Sequence, residues 1–295
     1  MSVVLYYTVA LAGAGKDVLY HSHYSHAVHV SSDVIREEVF GDVNDQSRNA
    51  EVFNIMFKRT VENLKAGRSV FYNATNLSAK RRIGFLKSIA HIPNVIKICL
   101  LVVPPLDRVR QQNRNRDRVV PEDVIDNMVK RFEIPHKSEG WNDIRIYGNE
   151  PSNFCWDIVK ASELIEHNNP HHSETIGNHM YHAAMFMEAM YPNAADYMMN
   201  VAHLHDAGKL FCRTYYNPRG EKSEYCHYYN HENVGAYYYI STSYGTRQSL
   251  HIANLIQHHM DYFKGEKYLE KVRNRFGDSF MEELDMLHQA DLMAH

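Results

Sequence analysis

The residues of this chain whose types and spacing most clearly allow chemistry are an adjacent histidine and aspartate, His205-Asp206. Such a pair offers a metal one imidazole nitrogen and one carboxylate oxygen from consecutive residues, which suits a hard or borderline divalent cation. Gly208 follows as an expected helix stop, and the ammonium group of Lys209 could hold a phosphate. A lone His-Asp pair also arises by chance at a helix end, so the pair needs support from other residues.

That support comes from further histidines and a second aspartate, in the order His179, His205-Asp206, His231, His259 and Asp291. The ordered set resembles the HD-domain metal phosphohydrolases and covers about the second half of the chain. The resemblance implies that a first metal ion is bound by His179, His205, Asp206 and Asp291. It implies that a second is bound by His231 and His259, with Asp206 bridging the two ions.

The chemistry of such a centre is phosphate hydrolysis, because two metal ions about 3.5–4 Å apart can bind both the phosphate and the attacking hydroxide. The expected ions are Mn²⁺, Ni²⁺ or Co²⁺. His258 is an alternative to His259, since adjacent helical residues point in different directions. For any one of these histidines alone, a core or surface role is the commoner one, and only the ordered set favours metal binding.

A different chemistry is indicated at the N-terminus, where the apolar run 3–11 is typical of a buried parallel strand. It leads into Ala12-Gly13-Ala14-Gly15-Lys16-Asp17, a glycine-rich turn that ends in Gly-Lys. In a phosphate-binding P-loop, backbone N–H groups of such a turn surround the phosphates and the lysine reaches the outer ones. Ala10 and Asp17 depart from the usual GxxxxGK[ST] pattern, and a plain strand-turn-helix corner is the alternative.

The rest of the chain predicts two domains of different class. Further strands are expected near residues 27–30, 69–74 and 96–103, and they alternate with helices. This predicts an α/β domain over residues 1–150, with the candidate P-loop at its start, a parallel sheet and helices on both faces. Residues 151–295 predict an all-α domain with a turn or hairpin within 211–230. Its helices are expected around 174–190, 194–207, 231–243, 247–263, 267–275 and 278–294.

Four segments of the first half carry a second resemblance: the P-loop start, Ser32-Asp33-Val34-Ile35-Arg36, Asn73-Ala74-Thr75-Asn76 and the segment Arg114 to Arg118, continuing to Glu139-Gly140-Trp141. Residues 1–150 thereby resemble the kinase domain of polynucleotide 5′-kinases. The resemblance implies that ATP and Mg²⁺ bind at Gly13, Ala14, Gly15, Lys16 and Asp17. Asp33 would be the general base for the attacking 5′-hydroxyl. Arg36 would bind the phosphate of the acceptor. A lid over the γ-phosphate would be formed by Arg114, Arg116 and Arg118.

One departure from that family concerns magnesium. The family usually has Ser or Thr at the position of Asp17 and Asp at the position of Asn73. In P-loop folds these two residues lie side by side near the magnesium ion. We hypothesise that Asp17 ligates magnesium and Asn73 supports it. The competing interpretation is a decayed kinase that only binds nucleotide or serves a structural purpose.

Composition bounds the class of protein. The net charge is −3, but residues 1–150 carry 21 basic against 17 acidic side chains and residues 151–295 carry 11 against 18. A basic first half suits nucleotides or nucleic acid, although ordinary surface variation is an alternative. No apolar run of about 18 residues occurs, so no membrane partner is expected. The four cysteines lack CxxC spacing and indicate reduced thiols and a cytoplasmic setting.

The two resemblances together are similar to bifunctional end-healing proteins that join a polynucleotide kinase to an HD phosphohydrolase. They imply 5′-phosphorylation of RNA or DNA ends and removal of a 3′-phosphate, 2′-phosphate or 2′,3′-cyclic phosphate, after which a separate RNA ligase would seal the ends. One alternative is an HD enzyme that hydrolyses free nucleotides, with a regulatory or decayed ATP-binding domain. Another is a non-enzymatic nucleic-acid adaptor, against which the full set of HD ligands argues.

Overall fold

The first half of the chain is built on a parallel sheet in the order β2-β3-β1-β4-β5. A computed structural model describes residues 3–43, 45–116, 118–170 and 173–294. The strands are β1 (Val3–Ala10), β2 (Val28–Ser31), β3 (Val70–Asn73), β4 (Val95–Val102) and β5 (Asp143–Tyr147). Each neighbouring pair is parallel, with Leu5 opposite both Val70 and Lys97. The central strand β1 therefore delivers the chain to the sheet edge where the strand order reverses, where α/β folds bind ligands.

Both faces of the central strands are covered. Consecutive residues of a strand point to opposite faces, and Tyr7–Ala10 and Ile98–Val102 are buried throughout. The helices of this half are α1 (Lys16–Leu19), α2 (Ser32–Phe40), α3 (Asn49–Lys65), α4 (Ala79–Ile89), α5 (Leu106–Arg114) and α6 (Glu122–Lys130). Helix α3 packs against β1, β2 and β3. The sheet is thus a rigid base for the loops at its carboxyl edge.

Strand β5 was not among the predicted strands. It pairs with β4 along Ile98–Val102, and its residues are half-buried, apart from an exposed Arg145. A strand that alternates apolar and polar residues at the border of a sheet has no continuous apolar run to mark it.

The second half is mostly helical. Its helices are α7 (Phe154–Ser162), α8 (Ile176–Met190), α9 (Tyr197–Leu204), α10 (Lys209–Cys212), α11 (His231–Ser241), α12 (Arg247–His258), α13 (Glu266–Phe276) and α14 (Asp278–Met293). An antiparallel hairpin of β6 (Thr214–Tyr216) and β7 (Lys222–His227) interrupts them. The second half is thus helical apart from this hairpin, which lies within 211–230, where a turn or hairpin was predicted. Its tyrosine-rich sequence favours strands.

The chain divides into two compact units. The first comprises residues 1–128 and 135–149, and the second comprises Val129–Ile134 and residues 150–295. The short segment Val129–Ile134 joins the second unit through Gln257, whose side chain accepts from Ile134 N (2.8 Å) and donates to Phe132 O (2.7 Å). Among the described residues, no helix is long and apolar enough to cross a membrane.

Candidate active sites

The glycine-rich turn lies directly at the carboxyl end of β1. Gly13 and Gly15 have φ of 78° and 87°, a left-handed backbone that glycine adopts without steric cost. A Cβ on Gly13 would also lie 3.1 Å from Asn113 Cβ, so the turn packs closely against α5. The chain then enters α1 at Lys16, whose Nζ donates to Leu11 O at 3.0 Å. The lysine is thus held over the turn, as a P-loop lysine is.

Electrostatics at the turn depend on the carboxylates beside it. Burial lowers the pKa of Lys16, and the negative charges of Asp17 and Asp33 work against that shift. Asn73 Nδ2 at the end of β3 donates to Asp17 Oδ1 at 2.7 Å and lies 3.0 Å from His29 Nε2. The structure therefore places Asp17 and Asn73 side by side. His29 is a neighbour that the sequence did not suggest, because one histidine in a strand carries no distinguishing pattern.

Asp33 lies among arginines at the start of α2. Its Oδ1 accepts from Arg36 Nη1 (2.8 Å) and Arg118 Nη1 (3.2 Å), and Arg116 Nη2 lies 4.0 Å from Oδ2. The structure brings these four residues together. Arg114 is different: it is exposed and pairs with Glu122 at 3.1 Å. Of the three arginines of the predicted lid, Arg116 and Arg118 thus lie beside Asp33, whereas Arg114 pairs with Glu122.

A buried ion pair supports the loop that follows β3. Arg82 binds both oxygens of Glu139 (2.8 and 2.7 Å), and both side chains are fully buried. Arg82 also donates to the carbonyls of Asn76 and Leu77, and Trp141 Nε1 donates to Glu139 at 3.0 Å. Bidentate, charge-assisted bonds of this kind fix geometry. Glu139 and Trp141, which carry part of the kinase resemblance, therefore position the loop and do not face a ligand.

In the second unit, the six predicted metal ligands converge into one buried cluster. Two groups of ligand atoms have the spacing of a metal site and share one carboxylate: His179 with His205 and Asp206, and Asp206 with His231 and His259. Asp206 Oδ1 lies 3.0 Å from His231 Nε2 and 3.5 Å from His259 Nε2. Asp291 lies beside the first group, because its Oδ1 is 2.9 Å from His179 Nε2 and 3.3 Å from His205 Nε2.

Hydrogen bonds on the far side of each ring orient the histidines. The Nδ1 atoms of His205, His231 and His259 lie 2.6, 2.8 and 2.7 Å from backbone carbonyl oxygens. A carbonyl only accepts, so each Nδ1 carries hydrogen and each Nε2 presents its lone pair inward. His231 Nε2 and His259 Nε2 nevertheless lie 3.1 Å apart. Two lone pairs at that distance repel unless a cation lies between them, so the residues fit a bound metal ion.

The charges of the cluster agree with that fit. Burial works to lower the pKa of His205, but Asp206 and Asp291 raise it to about 10. Burial works to raise the pKa of both aspartates. Lys209 and His205 nevertheless hold the pKa of Asp206 well below the usual range. In the same way, His205 and His179 hold the pKa of Asp291 well below the usual range. Burial lowers the pKa of His259. Two buried carboxylates thus attract positive charge, which a proton or a divalent ion can supply.

Lys209 lies at the edge of the cluster, and a residue absent from the predicted set contacts it. Lys209 Nζ is 2.5 Å from Asp206 Oδ2 and 3.3 Å from His167 Nε2. Burial, and next the charge of Lys209, lower the pKa of His167 to about 4, so this ring is neutral at pH 7. No sequence pattern selects His167, because this residue precedes a polar loop and lies outside the ordered set.

Two further predictions at this site can be compared with the geometry. His258 bonds Asp261 Oδ2 at 2.5 Å, so His259, not His258, lies in the cluster. Gly208 is not a helix stop, because its φ is an ordinary −69° and α9 ends at Leu204. The reason for glycine is space: a Cβ there would lie 2.0 Å from His231 O.

The comparisons with known proteins concern the first half of the chain. A family model described as "AAA domain" matches residues 5–135, which include the glycine-rich turn, Asp33 and the arginine segment. A crystal structure from Chloroflexus aurantiacus, of a protein provisionally assigned as a kinase, aligns over 50% of this chain and 88% of its own, with 15% identity and a TM-score of 0.41. No curated protein matches the chain. Residues 5–135 are thus similar to that family, and the candidate metal cluster lies beyond the matched residues.

Proposed function

We propose that this protein heals broken nucleic-acid ends: the first unit phosphorylates a 5′-hydroxyl and the second removes a 3′-terminal phosphate, 2′-phosphate or 2′,3′-cyclic phosphate. The observation that carries the proposal is the pair of three-ligand groups sharing Asp206, in the same chain as a P-loop kinase-like domain. RNA is the favoured substrate, because a cyclic phosphate forms only where a 2′-hydroxyl is present.

In the first unit, ATP supplies the phosphoryl group and Mg²⁺ neutralises its charge. Lys16 and the turn Gly13–Gly15 would hold the phosphates, and Asp17 with Asn73 would hold the metal ion. Asp33 Oδ2 accepts no hydrogen bond from a described residue, so it is open to the acceptor hydroxyl, while Oδ1 is fixed by two arginines. A carboxylate so placed can take the hydroxyl proton. Arg36 and the neighbouring arginines offer cations for the phosphates.

In the second unit, a divalent ion bound by the cluster supplies Lewis-acid polarisation of the phosphate. The first group with Asp291 would hold one ion, and His231 with His259 would hold a second through Asp206. Lys209 places a buried ammonium group beside them, where it can neutralise a phosphate oxygen. The ligand residues of the cluster are buried, and the low local dielectric constant strengthens these charge interactions.

The test uses a short RNA with a 5′-hydroxyl and a 2′,3′-cyclic phosphate. It is incubated with the full chain, ATP, Mg²⁺ and Mn²⁺, Ni²⁺ or Co²⁺, and both ends are followed by mass spectrometry. The wild type should add a phosphate at the 5′ end and open or remove the cyclic phosphate. Lys16→Met should lose only the 5′ reaction, and Asp206→Asn only the 3′ reaction, so each variant is the control for the other.

Two outcomes would change the assignment. A reaction at the 3′ end alone would indicate that the kinase has decayed. No reaction at either end, together with hydrolysis of a free nucleotide, would favour the alternative of a nucleotide phosphohydrolase with a regulatory ATP-binding unit.

A further inference from the structure

The β6–β7 hairpin carries aromatic rings along β7 and in the turn that follows it. Cys226 is buried, so its neighbours Tyr225 and His227 lie on the opposite face of β7, and Tyr229 follows in the turn. Tyr225 and Tyr229 are 50% and 37% exposed. The rings of His227 and Tyr229 stack at 5.3 Å with an interplanar angle of 15°. We call these three residues the aromatic stripe.

The chemistry of the stripe selects flat aromatic partners. Tyrosine normally buries its ring and directs only its hydroxyl to water. Here the side-chain hydroxyl of Tyr225 has no hydrogen-bond partner among the described residues, and its ring is half exposed. Rings that stand at successive outward positions are about 6.6 Å apart along a strand. Exposed aromatic rings in such a row are a stacking surface for nucleobases, which bind this way regardless of sequence.

The hairpin is anchored, although an isolated two-stranded hairpin is only marginally stable. Cys226 N donates to Asn168 O at 2.8 Å, and Tyr228 Oη donates to His167 O at 2.5 Å. At the turn, the side chain of Asn217 accepts from Arg219 N and Glu221 N at 2.9 and 3.0 Å. The stripe is therefore preorganised, which reduces the entropy lost when a ligand binds.

The stripe lies close in sequence to a residue of the metal cluster. Tyr228 O accepts from His231 Nδ1, so the residue between two members of the stripe orients a predicted metal ligand. Tyr229 lies two residues before His231, and Tyr225 lies six residues before it, which is at most about 22 Å of extended chain. A nucleic-acid strand whose 3′ end enters the cluster can thus contact the stripe with bases that lie a few nucleotides from that end.

The charge of the hairpin suits a phosphate backbone. Arg219 and Lys222 form no ion pair with a described residue, whereas Glu221 accepts from Asn217 Nδ2 at 2.7 Å. The hairpin segment 213–230 holds three basic against two acidic side chains, in a half of the chain that is otherwise acidic. Nucleic-acid binding favours local positive charge.

From these contacts we infer that the aromatic stripe binds unpaired nucleobases of the strand whose 3′ end enters the metal cluster. The inference rests on the proposed function and narrows its substrate to a single-stranded 3′ end. A base-paired end keeps its bases stacked in the duplex and cannot present them to the rings.

The test compares Tyr225→Ser with Tyr225→Phe, which keeps the ring. Tyr244→Ser is the matched control, because Tyr244 is an exposed tyrosine of the same unit outside the hairpin. The substrates are a single-stranded RNA with a 3′-phosphate, a blunt duplex with the same end and a nucleoside 3′-monophosphate. Binding is measured separately, in chelator, by quenching of a 2-aminopurine placed near the 3′ end of the single strand.

Tyr225→Ser should raise KM for the single strand about tenfold with little change in kcat, because one base stack is lost. It should also weaken the 2-aminopurine quenching at a given protein concentration and leave the KM for the monophosphate unchanged. Tyr225→Phe and Tyr244→Ser should behave as wild type. Unchanged KM and quenching in Tyr225→Ser would overturn the inference. Quenching that depends on Tyr225 without any 3′ reaction would keep the inference and refute the proposed function.

Discussion

Replacing Gly208 with alanine should disable the metal cluster and leave the first unit intact. The added Cβ would lie 2.0 Å from His231 O and 2.6 Å from Gly235 N, whereas ordinary van der Waals contact begins near 3.4 Å. Because both contacts are with backbone, no side-chain rotation relieves them. Helix α11 must retreat by more than about 1 Å, and His231, its first residue, moves with it.

The size of the effect follows from that displacement. A shift of about 1 Å in a catalytic constellation costs on the order of a hundredfold in rate, and overpacking costs about 1–3 kcal/mol of stability. At about 2–4 °C per kcal/mol for a unit of this size, Tm should fall by roughly 2–12 °C. The assay measures 3′-phosphate removal, 5′-phosphorylation and thermal unfolding of the same preparation.

Gly84→Ala provides the matched control. Gly84 lies within α4, and its Cβ would meet nothing within 4 Å, so alanine there should be neutral or slightly stabilising. If Gly208→Ala retained wild-type 3′ activity and Tm, the close approach of α11 would not be what fixes His231, and the reasoning would be refuted.

Three further predictions concern other parts of the chain. Asp17→Ser should lower kinase activity about ten- to a hundredfold, and adding Asn73→Asp should restore it. A double variant no better than the singles, in an assay of γ-phosphoryl transfer from ATP to a 5′-hydroxyl oligonucleotide, would contradict the exchanged carboxylate. Burial works to raise the pKa of Glu283, but hydrogen bonds from His251 and Tyr197 lower this pKa overall. The ionised carboxylate therefore stabilises the fold fully above its unfolded pKa near 4.5, and this stabilisation is lost as the pH falls below that value. Glu283→Gln should therefore flatten the acid limb of stability against pH, measured by denaturant unfolding. Mn²⁺ at a hundredfold excess over its Kd should stabilise the wild type by about 2.7 kcal/mol, and Asp206→Asn should remove that rise in Tm.

The parts of the fold that the sequence could predict are those that depend on local pattern. The apolar run of β1 followed by Gly13 and Gly15 identifies a strand and a tight turn, because only glycine adopts the required φ without strain. The helices α8, α11, α12 and α14 lie within the ranges where helices were predicted. Strand β5 was not predicted because its extended conformation is stabilised by pairing with β4. The paired residues of β4 lie about 45 positions earlier in the chain, so no local pattern marks β5.

The candidate sites divide in the same way. The order of histidines and aspartates selected the residues that converge, but no local pattern could select His167 or His29, which take part only because distant segments pack beside them. The orientation of the Arg114 side chain could not be predicted from the sequence either. It depends on Glu122 in the following helix, which competes for the guanidinium that a lid would require.

Whether the cluster can hold a metal ion depends on where the helices end. A helix leaves its last carbonyls without an intrahelical partner, and His205 and His259 directly follow α9 and α12. Each therefore donates from Nδ1 to a carbonyl three residues earlier, and His231 does the same to a loop carbonyl before α11. Nδ1 is thus used locally, and Nε2 must face the neighbouring elements. A helix end displaced by one residue would turn the ring by about 100° and remove the ligand, so the positions of these ends, more than the identity of the histidines, determine whether the cluster can hold an ion.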